Sequence, residues 1–229
     1  MQECFDLTVD AFHLAEKYRT PVILLTDGAI GHIREPLAYP AFSDELQAPR
    51  PRTKPGELAF GGGDKVPPMC QIGDEQFVHI TGSTHKPNGI RDVETKSVHE
   101  ELVHRLVDKI TSDREALTRL DMRHMDGART AVVSFGATAR PALGAVERAR
   151  QQGHDVGFIR LINTWPFPGP ALEAALADVD RVLVPEMNLG QLNREIERFV
   201  SCPVIPVSKI GGVMHSVGEI HQRVMEAMA

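Results

Sequence analysis

The sequence predicts an α/β protein whose C-terminal half is a mostly parallel sheet flanked by helices. Two observations lead to this fold class. Short apolar runs rich in β-branched residues alternate with segments whose apolar residues recur at helical spacing. Turns that contain glycine or proline separate these segments. Four such strand and helix pairs over about 100 residues are typical of a parallel sheet with right-handed crossovers.

The clearest strand and helix pair covers residues 130–152. Thr130–Phe135 is a short apolar run, as expected for a strand covered on both faces, and Gly136 closes it. Thr138 is the expected cap of the next helix, which stops at Gly153. In open α/β sheets, ligands and partners usually dock at such a turn, between a strand's carboxyl end and a helix's amino end. The simpler interpretation, that Gly136 only permits a tight turn, is favoured because one glycine is no phosphate-binding motif.

The remaining strands and helices of this half follow in alternation. The helices carry apolar residues at i, i+4 and i+7 spacing. Ser216 and Glu219 form a capping-box pattern at the start of the last helix. The predicted segments are a strand over 156–162, a helix from Gly169, a strand over 181–185, a helix with Leu192, Ile196 and Phe199, a strand over 204–208 and a helix from Val217.

The N-terminal segment, residues 1–36, combines one helix with one strand. A helix is predicted from Asp6 to Tyr18, and Pro21 ends it. Val22–Thr26 follows as a continuous apolar strand. About 36 residues cannot close a doubly wound domain alone. We therefore expect this segment to complete a sheet whose other strands belong to another part of the polypeptide or to another chain.

Two connecting segments are predicted between these halves. Residues 37–96 are rich in proline and glycine and are expected to form an extended connection, either functional in itself or laid over a partner surface. Residues 97–126 are expected to form a helical linker that begins at the capping-box pattern Ser97–Glu100. A second such pattern at Ser112 indicates either a break near Thr111 or simple continuation of the helix. The C-terminal domain is predicted to follow over residues 127–229.

Composition limits the function classes. With 42% hydrophobic residues, 24% charged residues and a net charge of -6, the chain is neither disordered in character nor suited to binding nucleic acid. Its three cysteines lie far apart, which argues against a zinc or iron–sulfur site and fits the reducing cytoplasm. No apolar run approaches the ~18 residues of a membrane span, and the start lacks the pattern of a secretory signal.

Two polar turns at the predicted carboxyl ends of strands are candidate functional sites. The first gathers Asp27, His32, Arg34 and Glu35 directly after a buried strand, as a loop facing a ligand or a subunit would. A solvated turn with internal ion pairs explains it equally well. The second turn, residues 185–191, contains Glu186, Asn188 and Gln191; a role in helix entry is favoured there over a ligand role.

A possible metal site on the 97–126 helix is excluded by spacing. His99 and His104 lie five residues apart, and at about 100° per residue they point roughly 140° away from each other. Two histidines so placed do not share a metal ion.

Taken in order, several stretches resemble the 2-oxoacid:ferredoxin oxidoreductases, which are thiamine-diphosphate enzymes that depend on coenzyme A. Together these stretches extend over nearly the whole chain, and they most resemble the alpha subunit of the 2-oxoglutarate type. The stretches are residues 11–18, 21–28, 31–36 and 66–69, Thr81-Gly82 with His85 and Gly89, and residues 185–191.

The resemblance implies a place in a larger enzyme complex. Residues 1–36 would be the end of a domain that holds the thiamine pyrimidine, and residues 127–229 a domain similar to the C-terminal domain of transketolase. The complex would contain thiamine diphosphate, Mg and an iron–sulfur cluster. Its partners and substrates would be a thiamine-diphosphate-binding beta subunit, ferredoxin, a 2-oxoacid and coenzyme A.

The chain departs from the family pattern in ways that bear on its own role. It begins after the part that carries the pyrimidine-contacting glutamate, and it lacks the Gly-Asp-Gly motif of the beta subunit and the cluster cysteines. We therefore expect no catalytic residue, metal or bound cofactor in this chain alone. The candidate residues for a cleft or a subunit interface are Asp27, His32, Arg34, Glu35, His85, Glu186, Asn188 and Gln191.

Two alternatives remain open from the sequence. In the first, the chain alone would be a standalone scaffold or subunit-interaction module. In the second, the complex would act on pyruvate or a branched-chain 2-oxoacid instead of 2-oxoglutarate. The residues that contact the substrate in the family lie outside this sequence, so the sequence does not decide between these 2-oxoacids.

Overall fold

The computed structural model describes residues 1–40, 50–61, 65–74, 76 and 78–229 of the chain. The other residues of the predicted extended connection, including the glycine pair 62–63, lie outside the described residues. The helices and strands are, in chain order, α1 (Gln2–Tyr18), α2 (Gly28–His32), α3 (Lys96–Thr111), α4 (Arg114–Leu117), β1 (Leu120–Arg123), β2 (Thr130–Phe135), α5 (Ala139–Gln151), β3 (Val156–Leu161), α6 (Gly169–Ala175), β4 (Arg181–Glu186), α7 (Gln191–Ile196), β5 (Val204–Ser208) and α8 (Val217–Met228).

These elements fall into two compact units. Unit 1 consists of Met1–Leu25 and Ile33–Asp113, and unit 2 of Thr26–His32 and Arg114–Ala229. Unit 2 therefore recruits a short segment from the N-terminal part of the sequence. It also begins before residue 127, where the sequence predicts the start of the C-terminal domain.

Unit 2 is built on a five-stranded sheet with the strand order β1-β3-β2-β4-β5. The four strands β2 to β5 pair in parallel, and β1 pairs antiparallel with β3 at one edge. One face of the sheet packs against α5 and α8, and the other against α6 and α7. The mostly parallel α/β fold predicted from the sequence is confirmed.

The central strand β2 shows why the apolar runs predicted buried strands. Its residues Ala131, Val132, Val133 and Ser134 have no exposed surface. Ala131 and Val133 face the layer of α6 and α7, whereas Val132 faces that of α5 and α8. A strand covered on both faces needs apolar residues at every position, and β2 has them at nearly all.

The predicted helical linker over 97–126 is wrong in its second part. The helix breaks after Thr111, where the Ser112 hydroxyl donates to the Asp108 carbonyl at 2.6 Å. After the short helix α4, residues 120–123 form strand β1 instead of a helix. Leu120 and Met122 alternate with Asp121 and Arg123, which is the period of a strand and not of a helix.

The start of α3 also differs from the prediction. Ser97 lies inside the helix, not before it, and Thr95 is the residue that precedes the first helical residue. The turn ahead of the helix is fixed by Asp92, whose carboxylate accepts hydrogen bonds from the amides of Glu94 and Thr95. Hydrogen bonds from Thr95 are the main cause that lowers the pKa of Asp92 to about 2.

In unit 1, the end of α1 is held by a buried lysine and a half-buried arginine. The Lys109 ammonium donates to the Tyr18 and Arg19 carbonyls at 2.9 and 3.1 Å. The Arg19 guanidinium donates to the carbonyl oxygens of Ala59, Pro67 and Pro68. Lys109 thus donates to carbonyl oxygens at the negative end of the α1 dipole, whereas Arg19 donates to carbonyl oxygens of the loops.

The apolar run Val22–Thr26, predicted as a buried strand, has no strand partner among the described residues. Its four apolar side chains, from Val22 to Leu25, are between 37% and 85% exposed. The prediction of a strand is therefore not met in this chain alone. The reason is physical, because a strand forms only when its backbone amides and carbonyls pair with a neighbouring strand.

The capping box predicted at α8 is confirmed. The Ser216 hydroxyl accepts from the Glu219 amide, and the Glu219 carboxylate accepts from the Ser216 amide at 2.6 Å. The Lys209 ammonium donates to the same carboxylate at 2.7 Å. The hydrogen bond from Lys209, followed by those from Ser216, lowers the pKa of Glu219 to about 2.

Replacing Lys209 with methionine is expected to raise the pKa of Glu219 back toward its ordinary value of 4.5. Because the folded-state pKa is depressed, this carboxylate stabilises the fold above pH 4.5, and the contribution is lost as the pH falls toward about 2. A carbon-13 NMR titration of the Glu219 carboxyl group in the wild type and in Lys209→Met measures the change. An unchanged titration midpoint would show that Lys209 is not the cause.

The helices of the described part of the chain are too short or too polar to cross a lipid bilayer.

Candidate functional site

The strand order of unit 2 places a topological switch point between β2 and β4. The chain leaves β2 through α5 to reach β3 on one side, and leaves β4 through α7 to reach β5 on the other. In open α/β sheets, ligands bind in the crevice that opens outside the carboxyl ends of two such strands. We call this place the switch-point crevice, formed by residues 136–138 after β2 and residues 187–190 after β4.

Asp27 lies in the switch-point crevice. Its Oδ2 accepts a hydrogen bond of 2.7 Å from the Ala137 amide, at the start of the helical run that continues into α5. Gly136 has φ 58°, and a Cβ atom there would lie 2.8 Å from the same Oδ2. The amino end of a helix is a common binding site for anions, and here the Asp27 carboxylate occupies that site.

Glu186, the last residue of β4, occupies the amino end of helix α7 in the same way. Its side chain has no exposed surface. Oε2 accepts from the Leu192 amide at 2.9 Å, and Oε1 accepts from the Asn193 amide at 3.1 Å. Both helix starts beside the crevice are thus neutralised by carboxylates of the chain itself.

Asn188 and Gln191 belong to the turn that leads into α7. The Asn188 Oδ1 accepts from the amides of Gly190 and Gln191 at 2.8 and 2.9 Å, and Gly190 has φ 87°. This is an Asx turn that directs the chain into the helix. The arrangement fits the interpretation favoured from the sequence, in which Asn188 serves helix entry, while the Gln191 side chain is exposed.

The other sequence candidates are distributed over both units. His32 ends α2 in unit 2 and is exposed. Arg34 and Glu35 are exposed residues of unit 1, and Glu35 pairs with the Met1 amino group at 2.9 Å. His85, also in unit 1, contacts the Ser83 carbonyl through Nδ1 at 3.0 Å. Of the sequence candidates, the structure therefore brings Asp27, Glu186 and Asn188 to the switch-point crevice.

Two buried polar residues near this edge of the sheet escaped the sequence reasoning. Asn193 is 5% exposed, and its Nδ2 donates to Glu197 at 2.7 Å. His215, just before α8, is also 5% exposed, and burial lowers the pKa of its imidazole. A polar residue in an amphipathic segment is usually assigned to the solvent face, so the sequence carries no signal for their burial.

The switch-point crevice does not fit the diphosphate of thiamine. A diphosphate is a polyanion that needs free amide donors, cationic side chains or a metal ion. Three amides at this crevice already donate to Asp27 and Glu186, and two more donate to Asn188. Within the described ranges, His, Cys, Asp and Glu side chains also form no group of three that could hold a metal ion. No reaction step is therefore assigned to these residues.

Two family models match the chain in succession. The model described as pyruvate flavodoxin/ferredoxin oxidoreductase, thiamine diphosphate-binding, matches residues 1–105. The model described as pyruvate:ferredoxin oxidoreductase core domain II matches residues 128–220.

Individual proteins match over nearly the whole chain. The 2-oxoglutarate synthase subunit KorA of Methanothermobacter marburgensis is 40% identical over 98% of this chain, and that of Methanocaldococcus jannaschii is 37% identical over 98%. The chain spans 61% of the length of these relatives.

A solved structure matches the fold closely. The 2-oxoglutarate:ferredoxin oxidoreductase from Magnetococcus marinus, with 2-oxoglutarate, coenzyme A and succinyl-CoA bound, superposes with a TM-score of 0.86 at 27% identity. The match covers 99% of this chain and 41% of that one. Together, the two family models and these proteins show that the chain is similar over nearly its whole length to the 2-oxoacid:ferredoxin oxidoreductases.

Proposed function

We propose that the chain is a non-catalytic part of the alpha subunit of a thiamine-diphosphate-dependent 2-oxoacid:ferredoxin oxidoreductase that acts on 2-oxoglutarate. The complex would join 2-oxoglutarate and coenzyme A to form succinyl-CoA, or run in the reverse direction. One observation carries the choice of substrate. Three relatives named 2-oxoglutarate synthase are 36% to 40% identical to this chain, whereas a fourth, from Archaeoglobus fulgidus, and the two named ketoisovalerate oxidoreductase are 29% identical.

The geometry of unit 2 supports a structural role within such a complex. The two helix starts that face the switch-point crevice are filled by Asp27 and Glu186, so this edge supplies a wall and not a cofactor site. Thiamine diphosphate, Mg²⁺ and the iron–sulfur cluster would then be held elsewhere in the complex, with the diphosphate on a beta subunit. Ferredoxin would receive the electrons, and the complex would work in the cytoplasm.

The exposed side chains of the polar turns are the proposed contacts with neighbouring subunits. His32, Arg34 and Gln191 are exposed, whereas the Glu186 carboxylate is used inside unit 2. Charged and polar side chains on loops are typical of such contacts, because loops tolerate the placement of polar groups that a strand or helix core does not.

The apolar run Val22–Thr26 is proposed to pair with further strands of the pyrimidine-binding sheet in the assembled enzyme. Four adjacent apolar side chains, 37% to 85% exposed, cost free energy in water and have the composition of a strand covered on both faces. No strand in the described part of the chain pairs with this run. The strands that would pair with it belong to a neighbouring part of the subunit or to a partner chain.

The proposal is tested by purifying the chain from its source with whatever binds to it, followed by native mass spectrometry and an assay with a viologen dye. We expect a beta-type subunit with bound thiamine diphosphate, and dye reduction that depends on 2-oxoglutarate and coenzyme A. Pyruvate and a branched-chain 2-oxoacid are the comparison substrates. Faster reduction with either would overturn the 2-oxoglutarate assignment, and a monomer without cofactor would favour a scaffold module.

Single substitutions of exposed residues test the proposed contacts with neighbouring subunits. Arg34→Ala is expected to lower the fraction of chain that co-purifies with its partners by several-fold, whereas Lys54→Ala, another exposed cation of unit 1, leaves it unchanged. Equal recovery of the two variants would remove Arg34 from the interface.

A further inference from the structure

Unit 1 contains a cleft of about 560 Å³ along helix α3. This volume lies within the range of small-molecule sites. Val98 and Leu102 of α3 form part of its wall, and the rings of Phe60 and His85 form another part. The two rings meet edge to face with their centres 4.9 Å apart, so the wall offers flat apolar surface.

Two cationic side chains line this cleft, the exposed Lys65 and the partly buried Arg105, which lies one turn beyond Leu102 on α3. The side chain of Arg105 has no hydrogen bond or ion pair with any residue that the structure describes. A partly buried guanidinium with no partner among the described residues loses hydration without gaining a paired countercharge there. Burial accordingly lowers the pKa of Arg105.

Two more cations lie close to Arg105 and add to the positive potential. After burial, the charge of Arg105 is the next cause that lowers the pKa values of both Arg19 and Lys109. The hydrogen bonds of Arg19 and Lys109 go to backbone carbonyl oxygens, which satisfy their N–H groups but cancel no charge. Three positive charges therefore converge beside the cleft, and an anion placed there would relieve their mutual repulsion.

The exposed mouth of the cleft has a net negative charge. Its exposed carboxylates Glu100, Glu101 and Asp108 outnumber the exposed Lys65, and Glu100 is turned toward His104 at 4.0 Å. These carboxylates repel any ligand that carries negative charge along its whole length. They leave room for a ligand whose single acidic group reaches the inner cation and whose remaining part is neutral.

We propose that this cleft binds a small organic anion with one carboxylate or phosphate group on a flat apolar body, the acidic group pairing with Arg105 and the body packing on Phe60. The planar guanidinium suits both groups, because it donates two parallel N–H bonds to neighbouring oxygens. The site is distinct from the switch-point crevice of unit 2, and it does not depend on the proposed enzymatic function.

Isothermal titration calorimetry of the full 229-residue chain with benzoate and with phenyl phosphate tests the proposal. The two probes share an aromatic body and differ in the acidic group, so the tighter one identifies the preferred group. We expect saturable binding of at least one probe with one site per chain. Arg105→Gln should weaken it at least tenfold, whereas Lys96→Gln, an exposed cation on the same helix, should leave it unchanged.

A second variant tests the cleft without changing Arg105. Val98→Trp is expected to fill the cleft and abolish binding. Urea unfolding checks that both variants are folded. Absence of saturable binding by the wild type, or equal binding by the wild type and folded Arg105→Gln, would overturn the proposal. Tighter binding of the polyanion citrate would also overturn it, because the carboxylates at the mouth would then exert no selection.

Discussion

Glu186→Ala is expected to lower the free energy of unfolding by about 3 kcal/mol, one of the two largest effects expected for a single substitution here. The side chain is fully buried and accepts hydrogen bonds from two helix amides. Its removal leaves the Leu192 and Asn193 amides without acceptors in a site from which water is excluded. The change also opens a cavity at the end of β4, and the two costs add.

Urea unfolding of the chain at neutral pH measures this effect, and two further variants separate its causes. Glu186→Gln keeps the volume and one carbonyl acceptor, and we expect about half the loss. Glu173→Ala removes an exposed carboxylate from α6 and should change stability by less than about 0.5 kcal/mol. Equal losses for Glu186→Ala and Glu173→Ala would show that the hydrogen bonds to α7 contribute nothing.

Gly136→Ala is expected to cost about 3 kcal/mol, for two separate reasons. At φ 58° an alanine pays about 1 kcal/mol for the left-handed conformation. Its Cβ would also lie 2.8 Å from the Asp27 carboxylate and would push that group away from the Ala137 amide. The loss of a hydrogen bond to a charged group accounts for the remaining ~2 kcal/mol.

A double-mutant cycle with Asp27→Ala separates the two reasons. When Asp27 is already alanine, Gly136→Ala has no carboxylate to displace and should cost only the ~1 kcal/mol of backbone conformation. The coupling between the two positions is thus expected to be about 2 kcal/mol. Gly153→Ala, which also has a positive φ but open space around it, is the matched control for the conformational cost. Strictly additive losses would show that Asp27 is not held at the start of α5.

The sequence predicted those parts of the fold that are encoded by neighbouring residues. Strands β2 to β5 were found because each is a short apolar run between turns. Burial on both faces removes any need for alternation in β2, β3 and β4, whereas the edge strand β5 is only partly buried. The start of α8 was found because both members of its capping box lie within four residues. Asp27 and Glu186 were identified as candidates because each directly follows a predicted strand.

The features that the sequence did not predict depend on residues far apart. The contact from Asp27 to Ala137 joins positions 110 residues apart, and no local pattern at either position announces the other. Strand β1 has only four residues and pairs on one side, so its alternation was too short to compete with the helix before it. Arg105 is of a residue type usually assigned to the solvent face of a helix, and only its surroundings in three dimensions show that it has no hydrogen-bond partner among the described residues.

The membership of Thr26–His32 in unit 2 has a consequence for the order of folding. During synthesis this segment leaves the ribosome well before β2 and α5, so its place on unit 2 does not yet exist. The long chain between them must close into a loop before Asp27 meets Ala137, at an entropic cost that grows only slowly with loop length. Glu186, by contrast, reaches its amides within seven residues and is available as soon as β4 and α7 form. The Asp27 contact should therefore form late, after the transition state, and its loss would speed unfolding far more than it slows folding.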